Sequence, residues 1–197
     1  MKNIVLADPL SPEGHKDIDK VIIRLLKDYC NLVVITADEY LDEKFNNVRY
    51  ISLKKDLFYI SNNSLKNRKR LFQVLMVIKK YLKEIEDIDN LIIMSYDTIT
   101  FSIWNRLFKG IPLKLLNKTY IYNHSNIDEI ISSRIKNKMF NLISSDIHFV
   151  CYEEFIRNKV EILYQKQSIV IRHNISNYKK KFMLEKVRKE LKQFFND

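Results

Sequence analysis

The sequence predicts an α/β fold in which helices cover both faces of a doubly wound, mostly parallel sheet of seven strands. Two observations carry this prediction. Seven short apolar runs recur along the chain, and most of them are continuous, as in "LVVIT" and "NLIIMS". Continuous runs are typical of strands buried on both faces of a parallel sheet. Amphipathic stretches or turns separate the runs, and such strand–helix alternation indicates a doubly wound architecture.

The predicted strands follow in order as residues 3–7, 32–36, 48–53, 90–95, 118–122, 146–151 and 168–172. Parallel sheets of this kind bind ligands in the loops beyond the carboxyl ends of their strands. Those loops are therefore where we expect the functional residues.

Helical spacing of apolar residues predicts helices at residues 18–29, 65–86, 97–108, 128–143, 153–164 and 177–195. The third is expected to pack Trp104 and Leu107, and the turn "ADEYLDE" after the second strand is compatible with a short helix. Phe58 and Tyr59 are expected in an exposed loop. We expect one Rossmann-like domain over residues 1–176, with a basic C-terminal helix over 177–197 that packs on it or extends from it.

Composition excludes several classes of protein. Hydrophobic residues make up 46% and aromatic residues 12%, which indicates a packed globule and not a disordered chain. No apolar run approaches the roughly 20 residues that span a bilayer, and Lys2 leads directly into a strand without a signal-peptide pattern. We therefore expect a cytoplasmic protein. Cys30 and Cys151 lack metal-ligand spacing and are expected to be buried free thiols.

Glycine is scarce, with 2 residues in 197, so a glycine-rich phosphate loop cannot form. The GxGxxG, P-loop, GxSxG, HExxH and paired CxxC motifs are also missing from the sequence. Their absence argues against a standard dinucleotide enzyme, an NTPase, a serine hydrolase and a zinc enzyme. We expect no cofactor and no metal ion in this chain.

The formal net charge is +10, from 34 Lys and Arg residues against 24 Asp and Glu residues. This charge favours an anionic partner: a membrane surface, a nucleotide or phosphorylated substrate, or nucleic acid. Many of the cations lie on the predicted helix between Lys66 and Lys83, which also has an apolar stripe. That helix either rests on an anionic bilayer or covers the sheet with a solvated basic face.

His124 is the leading candidate for a catalytic residue. It directly follows the fifth strand and is flanked by Asn123, Ser125 and Asn126. An imidazole in that position can donate to a phosphate or a sugar hydroxyl, or act as a general base. A histidine that merely caps the strand–helix turn fits the same pattern.

Two further loops carry histidines. His15 follows Gly14 just before the first helix, where anions are favoured, although a solvated loop histidine fits equally well. His173 and Asn174 follow the seventh strand, where they contact a ligand or form a polar turn. His148 lies inside a strand and is expected to have a structural role.

Tyr96 and Asp97 follow the fourth strand. Asp97 can bind a ligand hydroxyl, but an aspartate in this position is also a common helix N-cap. Asp8, which follows the first strand, has the same two interpretations.

Several segments together resemble one family. They are "KNIVLADPLSPEGH", "NLVVIT", "YIYNHSN", "NLISSDIHFVCYEEF" and "SIVIRHNI", in this order. The chain resembles the N-terminal, acceptor-side domain of the GT-B glycosyltransferases over roughly residues 2–176. It departs from the family pattern in two turns: the first loop lacks the usual paired glycines, and "IRHNI" lacks the usual Pro and Gly.

The resemblance implies a domain that binds the acceptor for sugar transfer from a nucleotide sugar, in polysaccharide or cell-envelope glycan synthesis. The acceptor would be a glycan or a lipid-linked molecule. The nucleotide sugar would be held by a separate donor domain or subunit that this chain lacks, so the hexosyltransferase-class enzyme would be incomplete without it. His124 and His15 would be catalytic, and the substrate-binding residues would be Gly14, Tyr96, Asp97, Asn123, Ser125, Asn126, His173 and Asn174.

A second hypothesis is a non-catalytic module that binds an anionic membrane surface or another polyanion. It rests on the net charge and on the contact that the stretch from Lys66 to Lys83 would make with the inner face of a membrane. Nucleic acid is disfavoured because most aromatic residues fall on predicted buried stripes. A small nucleotide-dependent enzyme is disfavoured because glycines are missing.

Overall fold

The computed structural model describes residues 1–11, 16–58, 61–123, 127–151 and 153–170. Seven strands form one sheet, and every neighbouring pair is parallel. The strands are β1 (Lys2–Ala7), β2 (Cys30–Ala37), β3 (Val48–Leu53), β4 (Asn90–Ile93), β5 (Thr119–Tyr122), β6 (His148–Cys151) and β7 (Ser168–Val170). The predicted seven-stranded α/β fold is confirmed, and the sheet is entirely parallel.

The strand order is β3-β2-β1-β4-β5-β6-β7. The chain therefore builds outwards from β1 to β3, crosses back beside β1, and then builds outwards in the opposite direction. Ala7 at the end of β1 pairs with Ile35 on one side and with Ile93 on the other. The crevice beyond these carboxyl ends is the topological switch point, where sheets of this type bind ligands.

Six α-helices lie within the described ranges: α1 (Lys16–Leu26), α2 (Ser64–Glu84), α3 (Thr98–Phe108), α4 (Ile127–Ser132), α5 (Arg134–Asn141) and α6 (Glu154–Tyr164). Apolar clusters cover both faces of the sheet. Val5 and Ala7 join the cluster formed with α2, α3 and α5, whereas Ile4 and Leu6 join the cluster formed with α1. Successive strand residues point to opposite faces, and both faces are apolar here, which explains the continuous apolar runs.

Four local predictions were wrong. No helix follows β2, where turns connect to β3. The helix predicted at 128–143 is divided at Ser133, whose hydroxyl accepts a hydrogen bond from the Lys136 amide at 3.3 Å and caps α5. Phe58 is buried against the apolar cluster, whereas Leu107, in the last turn of α3, is exposed.

Other predictions stand or remain open. Cys30 and Cys151 are buried free thiols, as expected. Tyr59 and the C-terminal helix predicted over 177–197 lie outside the described residues. Among the helices that are described, none is both long and apolar enough to cross a bilayer.

Candidate functional site

Asp8 ties together the two strands that border the switch point. It follows β1 and its side chain is almost fully buried, with 1% of its surface exposed. One carboxylate oxygen accepts hydrogen bonds from the Leu10 amide at 3.1 Å and from the Ser95 hydroxyl just after β4. The same hydroxyl accepts from the Leu10 amide at 3.1 Å. This network fixes the start of the first loop over the crevice.

A second buried carboxyl group, Asp19 of α1, interacts with Asp8. Its exposed fraction is also 1%. Burial raises the pKa of Asp19 well above its usual value, and the negative charge of Asp8 raises it further. Neither oxygen of the Asp19 carboxyl group has a hydrogen-bond partner among the described residues. A buried carboxyl group without a hydrogen-bond partner favours its neutral form. Of the two carboxyl groups, Asp19 is therefore the one that keeps its proton, while Asp8 accepts two hydrogen bonds.

Tyr40 completes this cluster from the end of β2. Burial raises the pKa of its hydroxyl, and the charges of Asp19 and Asp8 raise it further. The tyrosine therefore stays neutral and can act only as a hydroxyl group. Asp8, Asp19 and Tyr40 join β1, α1 and the segment after β2 in one buried polar cluster.

Sequence reasoning named Asp8 but missed Asp19. The signal was present, because Ile22, Ile23 and Leu26 follow Asp19 at helical spacing and are all buried. A carboxyl group on the apolar stripe of a helix must be paired or protonated when the stripe is buried. That spacing singles out Asp19 among the acidic residues of α1.

Tyr96 and Asn123, two predicted site residues, are in direct contact. The Tyr96 hydroxyl donates to the Asn123 side-chain oxygen at 3.0 Å, and both side chains are buried. They follow the neighbouring strands β4 and β5. The Asn123 amide also donates to the Val150 carbonyl of β6 at 2.8 Å. Asn123 is thus held by the two strands that flank β5, immediately before His124.

Cys151 ends β6, one residue after Val150, whose carbonyl accepts the Asn123 backbone amide. Burial and the charge of Glu161 raise the pKa of Cys151 to about 12. A thiol with this pKa remains protonated near neutral pH, so Cys151 is not a nucleophile.

Asp97, the third predicted residue within the described ranges, is the N-cap of α3. One carboxylate oxygen accepts from the Thr100 amide at 2.8 Å and from its hydroxyl at 2.7 Å. The Arg68 guanidinium lies 3.9 Å from the same oxygen. The capping role that the sequence left open is therefore observed, and a ligand contact stays a prediction.

The remaining predicted residues, His124, Ser125, Asn126, Gly14, His15, His173 and Asn174, lie outside the described residues. Their roles stay predictions. His148 stacks on Tyr120 and has Nε2 3.1 Å from the Asn117 carbonyl, as expected of a structural histidine. Among the described side chains, no three His, Cys, Asp or Glu residues are grouped as metal ligands.

A shallow cavity of about 440 Å³ lies at the same edge, beyond β2 and β3. Asp38, Glu39 and Asp56 line it together with Tyr40 and Lys55, and the lysine pairs with Glu39. Because Tyr40 belongs both to the cavity wall and to the buried cluster, the cavity adjoins the switch point. The carboxylates around this open cavity can accept hydrogen bonds from a hydroxyl-rich ligand, and the tyrosine hydroxyl can both donate and accept them.

The sequence matches no family model and no curated protein. Solved structures do match. A sucrose-phosphate synthase from Thermosynechococcus elongatus aligns over 99% of this chain and 98% of its own, with a TM-score of 0.59 and 12% identity. The glycosyltransferase LpCGTa, in complex with UDP, aligns over 87% of this chain with a TM-score of 0.53 and 10% identity.

The chain has the fold of a GT-B glycosyltransferase domain. The family resemblance read from the sequence is thereby confirmed at the level of fold. This chain spans 54% of LpCGTa. In the GT-B domain fold, as in other doubly wound sheets, the carboxyl edge is where a ligand binds, and the buried polar network lies at that edge.

Proposed function

We propose that this chain binds the acceptor in a glycosyl transfer reaction, and that a second domain holds the nucleotide-sugar donor. The observation that carries the proposal is the buried polar network at the switch point of a sheet whose structural neighbours are glycosyltransferases. Buried polar groups cost free energy unless they are hydrogen-bonded. The Asp19 carboxyl group and the Asn123 side-chain nitrogen lack partners among the described residues, and they lie at the edge where a ligand is expected.

Two observations support a donor held elsewhere. Two glycines in the sequence leave no phosphate-binding loop in this chain, while LpCGTa, of which the chain spans 54%, was solved with UDP. The donor domain belongs either to another subunit or to a longer polypeptide. A glycan or lipid-linked acceptor, in polysaccharide or cell-envelope glycan synthesis, fits the hydroxyl-binding character of the carboxyl edge.

The proposed transfer uses a base at this edge. An acceptor hydroxyl oxygen bonds to the anomeric carbon of the donor sugar, the bond from that carbon to the diphosphate breaks, and the hydroxyl proton passes to the base. His124 is the proposed base because it adjoins Asn123, which hydrogen bonds with Tyr96 after β4 and with Val150 of β6 hold in place. His15 is the alternative. The proposed ligand contacts are Gly14, Tyr96, Asp97, Asn123, Ser125, Asn126, His173 and Asn174.

The first experiment is affinity purification of the full chain from its native cells, followed by mass spectrometry. A stoichiometric partner with a nucleotide-sugar site is the expected result for a split enzyme. Transfer is then measured with the reconstituted pair and radiolabelled nucleotide sugars. His124→Ala is expected to lower the turnover number by about 100-fold or more.

His148→Ala is the matched control because His148 lies at the opposite edge of the sheet. Its turnover should equal that of the unmodified protein. Equal turnover for His124→Ala and the unmodified protein would show that the catalytic assignment is wrong, although acceptor binding would still stand. No transfer with any donor would contradict the proposed function.

A second candidate function is binding to an anionic membrane, favoured by the outer face of α2. Its buried stripe covers the sheet, and its exposed face carries Lys66, Lys69, Gln73, Met76, Lys80 and Lys83. Lysines around the exposed Met76 side chain suit the surface of an acidic bilayer at the inner face of a membrane.

Flotation with phosphatidylserine-containing vesicles tests this function, with pure phosphatidylcholine vesicles as the neutral control. Lys69→Gln combined with Lys80→Gln should abolish flotation at low salt. Lys44→Gln combined with Arg49→Gln, which removes two exposed charges elsewhere, should leave it unchanged. No flotation of the unmodified protein with acidic vesicles at low salt would eliminate this candidate.

A further inference from the structure

A groove of about 760 Å³ lies at the amino edge of the sheet, opposite the candidate site. It is formed where α3, α5 and α6 end and where the chain enters β5, β6 and β7. The two edges are separated by the length of the strands. An occupant of this groove would leave the switch point open.

Exposed leucines surround the groove. Leu107, Leu113 and Leu142 line it, and their exposed fractions are 73%, 76% and 40%. Single exposed leucines are common on protein surfaces, but several around one concavity form a contiguous apolar patch. Burying three such side chains supplies the main favourable free energy that a docked partner would gain.

The charge of the groove has one sign. Arg106, Lys109 and Lys166 line it, and its described lining residues include no Asp or Glu. Lys166 is buried and its ammonium donates to the Ile143 carbonyl at 2.6 Å, so it is already used in the fold. Arg106 and Lys109 are exposed and form no ion pair with any residue that the structure describes.

The wall that carries these groups is fixed in shape. Gly110 packs so closely on the Trp104 indole that an added Cβ would lie 2.2 Å from a ring atom. The amides of Lys109 and Gly110 both donate to the Trp104 carbonyl. The groove is therefore preformed, which lowers the entropic cost of binding.

We propose that this groove docks an amphipathic helix of a partner protein, with leucine-like side chains on one face and acidic residues beside them. The apolar face would lie against Leu107, Leu113 and Leu142, and carboxylates would pair with Arg106 and Lys109. This is the helix-in-groove mode of recognition, which needs a concave apolar surface with complementary charges at its rim. A planar bilayer cannot enter the concavity. The inference is independent of the proposed function.

Fluorescence anisotropy with synthetic helical peptides of about four turns tests the proposal. The probe has leucines at positions i, i+3, i+4 and i+7 and glutamates elsewhere. One control peptide replaces glutamate by lysine, and another replaces leucine by glutamine while keeping the charge. The acidic leucine peptide should bind the full-length protein at least about tenfold more tightly than either control at physiological salt.

Variants of exposed residues locate the binding. Leu113→Ser and Lys109→Gln should each weaken binding of the acidic leucine peptide by about tenfold. Leu65→Ser and Lys69→Gln are the matched controls, since they change an equally exposed leucine and lysine at the start of α2. They should leave binding unchanged.

Three outcomes would overturn the proposal. One is the absence of saturable binding of the acidic leucine peptide. Another is equal weakening by the α2 controls, which would mean nonspecific attraction to a basic protein. The third is a Leu113→Ser variant that loses flotation with acidic vesicles while peptide binding is unchanged, which would identify the surface as a membrane contact.

Discussion

The two edges of the sheet differ in which side chains break the usual rule that polar groups are exposed and apolar groups are buried. At the carboxyl edge, Asp8, Asp19 and Asn123 are buried polar side chains, whereas at the amino edge Leu107 and Leu113 are exposed apolar ones. Each arrangement costs free energy relative to its opposite. At the carboxyl edge, Asp8 and the Asn123 side-chain oxygen are held by hydrogen bonds within the chain, whereas the Asp19 carboxyl oxygens and the Asn123 side-chain nitrogen have no partner among the described residues. The exposed leucines have no comparable partner among the described residues, and that edge is suited to a second molecule.

Asp8→Ala would damage the carboxyl edge most. The Leu10 amide and the Ser95 hydroxyl would lose a buried acceptor, so the free energy of unfolding should fall by about 2–4 kcal/mol. Urea denaturation followed by circular dichroism measures the change. Ser95→Ala, which removes a single donor, should cost less than half as much. Equal costs would mean that Asp8 does not organise the network.

Gly110→Ala tests the rigidity of the amino edge. The new methyl group would overlap the Trp104 indole, and we expect a loss of about 1–3 kcal/mol in the free energy of unfolding. Lys109→Gly is the matched control, because Lys109 has a φ of 45° that glycine adopts without strain. It should be neutral or stabilising. If Gly110→Ala left the free energy of unfolding unchanged, the loop would accommodate the added methyl group without strain.

Lys166→Met removes the buried cation of the amino edge and leaves an apolar side chain in its place. Burial lowers the pKa of Lys166 from 10.5 to about 8, so the unfolded chain binds an extra proton between those values. The free energy of unfolding of the unmodified protein therefore gains a contribution that rises with pH from about 8 to about 10.5. Lys166→Met removes this rise. If the free energy of unfolding changed with pH in the same way for both proteins over that range, the assignment would be wrong.

Asp19→Asn tests the proton that Asp19 keeps at the carboxyl edge. The folded protein holds the Asp19 proton more tightly than the unfolded chain, so this stabilisation is complete below about pH 3.8 and is lost as pH rises through the raised pKa. An asparagine amide is neutral at every pH. The variant should therefore gain stability relative to the unmodified protein as pH rises. A constant difference between pH 4 and 8 would mean that Asp19 is ionised throughout.

The strands and most helices could be predicted from local patterns, because burial on both faces leaves a continuous apolar run. The division at Ser133 could not, since Ile131 and Ile135 keep helical spacing across the break. Periodicity also assigned Leu107 to the packed face of α3, although its side chain is exposed. Exposure at the end of a helix depends on which neighbouring elements cover it, and no local pattern contains that information.

The candidate site divides in the same way. Tyr96 and Asn123 were predicted because each directly follows a strand, and neighbouring parallel strands end at the same edge. Their hydrogen bond could not be predicted, because it depends on register and side-chain rotamer. Asp19 was predictable from its place on an apolar stripe. Its proximity to Asp8 was not predictable, since the two residues meet only when α1 folds back over β1.

The two cysteines have a practical consequence for measuring all of this. Both thiols are buried, and burial raises the pKa of Cys30 to about 11 and, with the charge of Glu161, that of Cys151 to about 12. Maleimide and similar reagents attack the thiolate, which is scarce at such pKa values and shielded from the reagent. In the folded protein the two native thiols should therefore not react with the label. A single cysteine introduced in place of Leu113 would carry a fluorophore at the amino edge without removal of the native thiols.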